Sequence, residues 1–200
     1  MTGGIGCGKS EAAKAFAALG IPVVDVDGIS HALTKIGQPT LNKIAETFGK
    51  EILDEKGELN RAALRQKIFS EANAKARLEA IMHPAIYDEV LKQLKQQTSA
   101  PYQIIDIPLL FEGDRYQSLI SRSLVIDCEP EVQINRVNKR SGLTEADVKK
   151  IMDAQLPRAR RNALADDILT NNGSLKELQE KVAQLHEKYI NTCVFDKLIT

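Results

Sequence analysis

The sequence predicts an α/β fold: a parallel sheet covered by helices in three layers, with a helical insertion and a helical lid. Three observations predict it. Strand-like and helix-like segments alternate along the chain. The runs YQIIDIPLL (102–110) and SLVIDC (123–128) are almost continuously apolar, as strands covered on both faces are. The opening MTGGIGCGKS sets Gly3, four further residues and then Gly8-Lys9-Ser10 directly before a helical pattern, which is the spacing of a phosphate-binding loop.

Each element follows from local chemistry. The Ala-rich stretch 9–19 reads as a helix stopped by Gly20. IPVVDVD (21–27) is β-branched and follows a turn, so it reads as a strand. From Gly28 to about Thr98 only helical signals appear. The longest covers 70–97, with Pro84 as a kink or break. After the strands at 102–110 and 123–128 come helices at 129–140, at 143–156 with Thr144 as N-cap, and at 157–165 with Pro157 at the first helical position. DDILTN (166–171) is a weak strand. The closing helix, 174–190, turns Leu175, Leu178, Val182 and Leu185 to the core. The gap between the second and third strands is too long for one crossover helix, so it reads as an inserted helical pocket.

Composition bounds the function. Across 200 residues the formal net charge is zero, so no global field draws the protein to nucleic acid or membrane, and any electrostatic site is local. Cys7, Cys128 and Cys193 form no metal or disulfide spacing, which suits a reducing cytosol. No apolar run reaches the length of a membrane span. A cytoplasmic protein follows.

The opening loop suits a nucleoside triphosphate. Its glycines let backbone amides turn inward around an anion, and the helix that follows presents its positive end to the phosphates. Lys9 reaches the outer phosphates and the Ser10 hydroxyl binds Mg²⁺. On a strand, Asp25 and Asp27 share a face at the C-terminal end, where a carboxylate is placed to take a proton from an attacking hydroxyl; a solvated strand end is the alternative. Asp106 ends an apolar strand and serves either Mg²⁺ or the acceptor, and Glu112 has the same two readings. Residues 136–161 carry eight Lys/Arg against three acidic residues and no Phe, Tyr or Trp. That excess suits a phosphate-covering lid better than a base-stacking nucleic-acid surface. Within it Lys149 and Lys150 read as solvated, and Arg140 and Arg161 as ligand-facing.

TGGIGCGKS, VVDVD, His83-Pro84, DIPLLFE (106–112) and ADDILTNNG (165–173), in this order and spacing, resemble the dephospho-coenzyme A kinase family over essentially the whole chain. The resemblance implies a P-loop kinase fold and ATP-dependent phosphorylation of the ribose 3′-hydroxyl of dephospho-coenzyme A. It implies one domain over 1–200, with the core at about 1–30, 100–135 and 164–200, an acceptor-binding insertion at about 31–99 and a lid at about 136–163. By residue, it implies that Thr2, Gly3, Gly4, Gly6, Cys7, Gly8, Lys9, Ser10 and Glu11 hold the ATP phosphates. Asn171, Asn172 and Gly173 touch adenine. Asp27 is the general base with Asp25 as its partner, and Arg140 stabilises the transferring phosphoryl group. His83, Asp106, Pro108, Leu109, Glu112 and Arg161 line the acceptor site; Ser10 and Asp106 hold the metal. The partner is a small molecule rather than nucleic acid or membrane, and the chain is a monomer or weak homo-oligomer.

Two departures from the family stand out. Cys7 occupies a position usually held by serine; it is either a small filler or a thiol made reactive by the loop amides and Lys9. The family places a hydrophobic strand of several residues before the loop, whereas here only Met1 and Thr2 precede it. The expectation is therefore a natural start further upstream, or else an open slot in the sheet with poor folding and loose ATP binding. The functional alternatives are another P-loop kinase acting on a nucleoside, nucleotide or small alcohol, and a nucleotide-binding protein without turnover.

Overall fold

The structure, a computed structural model, describes residues 1–97 and 99–199, with side chains through 192. In chain order the elements are β1 (Thr2–Gly3), α1 (Lys9–Ala18), β2 (Val23–Asp25), α2 (Val26–Leu33), α3 (Pro39–Phe48), α4 (Arg61–Ser70), α5 (Ala74–Gln96), β3 (Ile104–Asp106), β4 (Leu124–Asp127), α6 (Pro130–Ser141), α7 (Glu145–Asp153), α8 (Arg158–Ala163), β5 (Asp167–Thr170) and α9 (Leu175–Ile199). They form two compact units, Met1–Val24 with Gln97–Thr200, and Asp25–Gln96.

The first unit is built on parallel strands. β4 lies between β1 and β5, with Thr2 opposite Val125 and Ile126 opposite Leu169. All four β4 residues are buried, which is why that segment reads as a continuous apolar run. Met1 joins β1 to β3. Its amine donates to the Ile105 carbonyl at 2.7 Å and its carbonyl accepts from the Ile107 amide at 2.9 Å, the slanted pattern of parallel strands. β2 lies beside β3, and the Ile104 amide donates to the Pro22 carbonyl.

Beside the loop, Met1, Thr2 and Gly3 are buried and pair with β4 on one side and β3 on the other. β3 has three residues and β4 four. Ala12 and Phe16 of α1, Leu178 and Val182 of α9 and Ile126 and Leu169 of the sheet share one core. The Thr144 cap is present, its hydroxyl accepting from the Asp147 amide. β3 is shorter than the 102–110 run, because after Asp106 the chain turns at Pro108 into a 3-10 turn at Leu110–Glu112. Pro157 stands one place earlier than expected, at the N-cap of α8.

The second unit is helical and has its own core of Ile44, Phe48, Ile52, Leu64 and Ala74. α5 runs unbroken through Pro84, although proline cannot donate to the carbonyl one turn back. Between α3 and α4 a small antiparallel bridge pairs Leu53 with Leu59. The Asp54 carboxylate accepts the amides of Lys56 and Glu58, and Gly57 supplies the positive φ of 81° that closes the turn.

The predicted strand 21–27 is corrected here. It ends at Asp25, and Val26 already opens α2. Val26 and Ile29, three apart, are both buried, and that helical spacing overrides the Val-Asp alternation. Asp25 is thus the residue before the helix and Asp27 lies in its first turn, so the two do not share a strand face.

Candidate active site

The phosphate loop starts where Gly3 leaves β1. Gly6 and Gly8 have φ of 74° and 90°, in the left-handed region that side chains disfavour. The Cys7 amide donates back to the Gly4 carbonyl, closing a turn. Gly8 is the N-cap of α1 and no side chain caps that helix, so its first amides and partial positive charge face outward for an anion.

Amide side chains from distant segments hold the loop from behind. Gln133 donates to the Ile5 carbonyl at 2.6 Å, and the Ile5 amide donates to Gln155 at 3.1 Å. Asn171 donates to the Cys7 carbonyl at 2.8 Å in a fully buried bond. These bonds hold the loop's shape from the protein side.

Lys9 and Asp106 form the charged centre. Lys9 Nζ lies 2.7 Å from Asp106 Oδ1, with both side chains largely withdrawn from water. Ser10 is exposed in the first turn of α1. Glu11, beside it, pairs with Lys14 on the helix surface. Thr2 is buried and its hydroxyl donates to the Pro108 carbonyl, which ties the loop's start to the turn after β3. Leu109 is half exposed, and the Glu112 carboxylate accepts from the Leu156 amide.

The arginines divide by burial. Arg161 is only 7% exposed; its Nη1 donates to the Leu156 carbonyl and its Nε has no partner among the described residues. It lies against the loop, since a Cβ at Gly4 would stand 3.0 Å from its Nη2. Arg158 grips Asp127 and Glu129. Arg140 is exposed at the end of α6, donating to Ser141. Arg136 received no role from sequence, yet it donates to the carbonyls of both Asn171 and Gly173.

The segment expected at adenine spends its amides inward. Asn171 pins the loop, and Asn172 accepts from the Glu129 amide. Asn172 and Gly173 are exposed. Cys7 is fully buried and faces Cys128 at 3.4 Å rather than the anion side. Asp25 and Asp27 are both exposed and His83 is half-buried in α5; all three belong to the second unit. Among the described residues no three metal-binding side chains cluster.

The structure therefore brings together Gly3–Ser10, Asp106, Arg161 and Asn171, and leaves Arg140 at a helix end. Sequence reading missed the supports Gln133, Gln155 and Arg136, and it missed Cys128 as the neighbour of Cys7. A periodicity signal existed only for Gln133 and Arg136, which sit three apart on α6.

Comparison with known proteins bears on this site. The dephospho-CoA kinase family model matches residues 1–177. The chain is 46% identical to the dephospho-CoA kinase of Chromobacterium violaceum over 97% of its length and 95% of that protein. It is 44% identical to that of Acinetobacter baylyi, covering 96% and 97% of the two chains. Among solved structures it resembles TT1252 from Thermus thermophilus, with a TM-score of 0.77, 29% identity and 94% of each chain covered. It also resembles the dephospho-CoA kinase from Campylobacter jejuni, with a TM-score of 0.70, 25% identity and 96% of each chain covered. With its phosphate loop, its Lys9–Asp106 centre and full-length relatives of this kind, the chain belongs to the dephospho-CoA kinase family.

Proposed function

We infer that this protein transfers the terminal phosphoryl group of ATP to the ribose 3′-hydroxyl of dephospho-coenzyme A, giving coenzyme A and ADP. The observation that carries the reading is the uncapped amide loop held in shape beside the Lys9–Asp106 pair. The reaction needs little covalent chemistry; it needs positioning and compensation of negative charge.

The roles follow from the residues. The amides of Gly6, Gly8, Lys9 and Ser10 hold the phosphates. Lys9 exchanges its partner Asp106 for a phosphate oxygen when ATP arrives. Arg161, beside the loop with an Nε that has no partner among the described residues, stabilises charge on the transferring group. Arg140, exposed on the lid, is the second candidate for that task. Asp27 accepts the proton of the acceptor hydroxyl, with Asp25 orienting it. His83, Pro108, Leu109 and Glu112 contribute to acceptor binding, and the 172–173 backbone to adenine binding.

Mg²⁺ fits these residues. It takes one or two protein oxygens and completes its shell with phosphate and water, and the Ser10 hydroxyl with the Asp106 carboxylate is such a donor set. When bound, it neutralises charge between the outer phosphates. No helix among the described residues is long and apolar enough to cross a membrane. A cytoplasmic monomer or weak homo-oligomer completes the proposal.

A panel of acceptors tests the substrate. With ATP and Mg²⁺, dephospho-coenzyme A should be phosphorylated at the 3′ position, as read by phosphorus NMR, and nucleosides, nucleotides and simple alcohols should not. Preferential turnover of another acceptor would replace this reading.

A further inference from the structure

Cys7 and Cys128 are the two fully buried thiols among the described residues, 121 positions apart in sequence and brought together by the fold. Cys7 lies in the phosphate loop. Cys128 directly follows β4, the strand beside β1. Their sulfurs are 3.4 Å apart, with the Cys128 thiol donating to Cys7 Sγ. A disulfide needs about 2.05 Å, so closure asks for a shift of little more than an ångström shared between two flexible ends.

We propose that Cys7 and Cys128 form a reversible disulfide that loosens the grip of the phosphate loop on ATP. The chemistry balances with a peroxide as oxidant. The Cys7 thiolate attacks one peroxide oxygen; an S–O bond forms, the O–O bond breaks, and hydroxide leaves to be protonated as water. Cys128 sulfur then attacks Cys7 sulfur, the S–O bond breaks, and the departing hydroxide takes the Cys128 proton as a second water. Two thiols lose two electrons and hydrogen peroxide gains them. A dithiol reverses the bond by exchange.

The surroundings assign the two sulfurs different parts. The hydrogen bond from Cys128 holds the Cys7 thiol below its ordinary pKa; burial opposes this, and Arg161 adds to it. Cys128, hydrogen-bonded to Cys7 and buried, is pushed up. Cys7 is thus the attacking sulfur and Cys128 the resolving one. The loop is sensitive because Cys7 is bonded at both ends of its own backbone, its amide to Gly4 and its carbonyl to Asn171. Pulling its side chain toward β4 moves amides that must converge on the phosphates within a few tenths of an ångström.

Peroxide treatment of the whole chain, followed by mass spectrometry and ATP titration, tests this. The expected result is a loss of two hydrogens, a Cys7–Cys128 linked peptide, and ATP affinity at least tenfold weaker, restored by dithiothreitol. Cys128→Ser should bind ATP normally when reduced and keep that affinity after peroxide. The inference fails if no linked peptide forms, if the linked protein binds ATP as before, or if Cys128→Ser loses affinity as much as the unaltered chain. ATP binding by the reduced chain is read separately, so failure of the kinase reading and failure of the thiol switch are distinguishable.

Discussion

The ammonium of Lys9 lies 2.7 Å from a carboxylate oxygen of Asp106, a residue 97 positions away, with both side chains largely shielded from water. The charge of the loop lysine is compensated by this carboxylate within the protein. An exposed lysine would reach a phosphate only after losing its rotamer freedom; under the proposed mechanism this one trades one anion for another.

Lys9→Met should therefore weaken ATP binding at least tenfold and lower turnover by about 10²–10³-fold, the scale of removing one preorganised charge-stabilising donor. Isothermal titration and initial rates check the two effects. Unchanged ATP affinity in Lys9→Met would place Lys9 outside the phosphate site.

Asp27→Asn separates binding from chemistry. Its expected effect is a fall in kcat of about 10²–10⁴-fold, the usual contribution of a general base, with ATP affinity unchanged. Asp25→Asn should cost less. A variant at Asp27 that turns over normally removes it as the base.

Asn171→Ala tests the support behind the loop. The Cys7 carbonyl would be left buried without its donor, at a cost of about 1–3 kcal/mol. Because that cost falls on loop shape, the KM for ATP should rise more than kcat falls. A variant with wild-type KM and stability would show that the loop holds itself.

Asp167 gives a pH-dependent prediction for stability. Burial pushes its pKa up, but hydrogen bonds from Arg122, Lys188 and Tyr189 together outweigh burial and hold it at about 2. The folded value lies below the ordinary carboxylate value, so the ionised form stabilises the fold above pH ~4, and that contribution is lost as pH falls through about 2. Asp167→Asn should cost about 2 kcal/mol at pH 7. The difference from the unaltered chain should stay constant down to pH ~4 and narrow below it. Urea denaturation at several pH values checks this; a difference that grows toward low pH would contradict it.

The phosphate loop was legible because its glycines meet a backbone requirement that leaves a fixed spacing in sequence. The parallel strands were legible because burial on both faces leaves apolar runs. Asp25 and Asp27 were misread because Val24 and Val26 alternate with them as a strand would, while the decisive Val26–Ile29 spacing sits at the change from strand to helix. Contacts such as Lys9–Asp106, Asn171–Cys7 and Cys7–Cys128 join residues about a hundred or more positions apart, and no local pattern encodes them.

Coenzyme A formation by the purified chain, given ATP, Mg²⁺ and dephospho-coenzyme A, bears on the phosphoryl transfer itself. The expected result is one coenzyme A and one ADP per dephospho-coenzyme A consumed, at a rate that Lys9→Met lowers about 10²–10³-fold. ATP bound at the loop with no coenzyme A produced, or ADP released without the acceptor being phosphorylated, would contradict it.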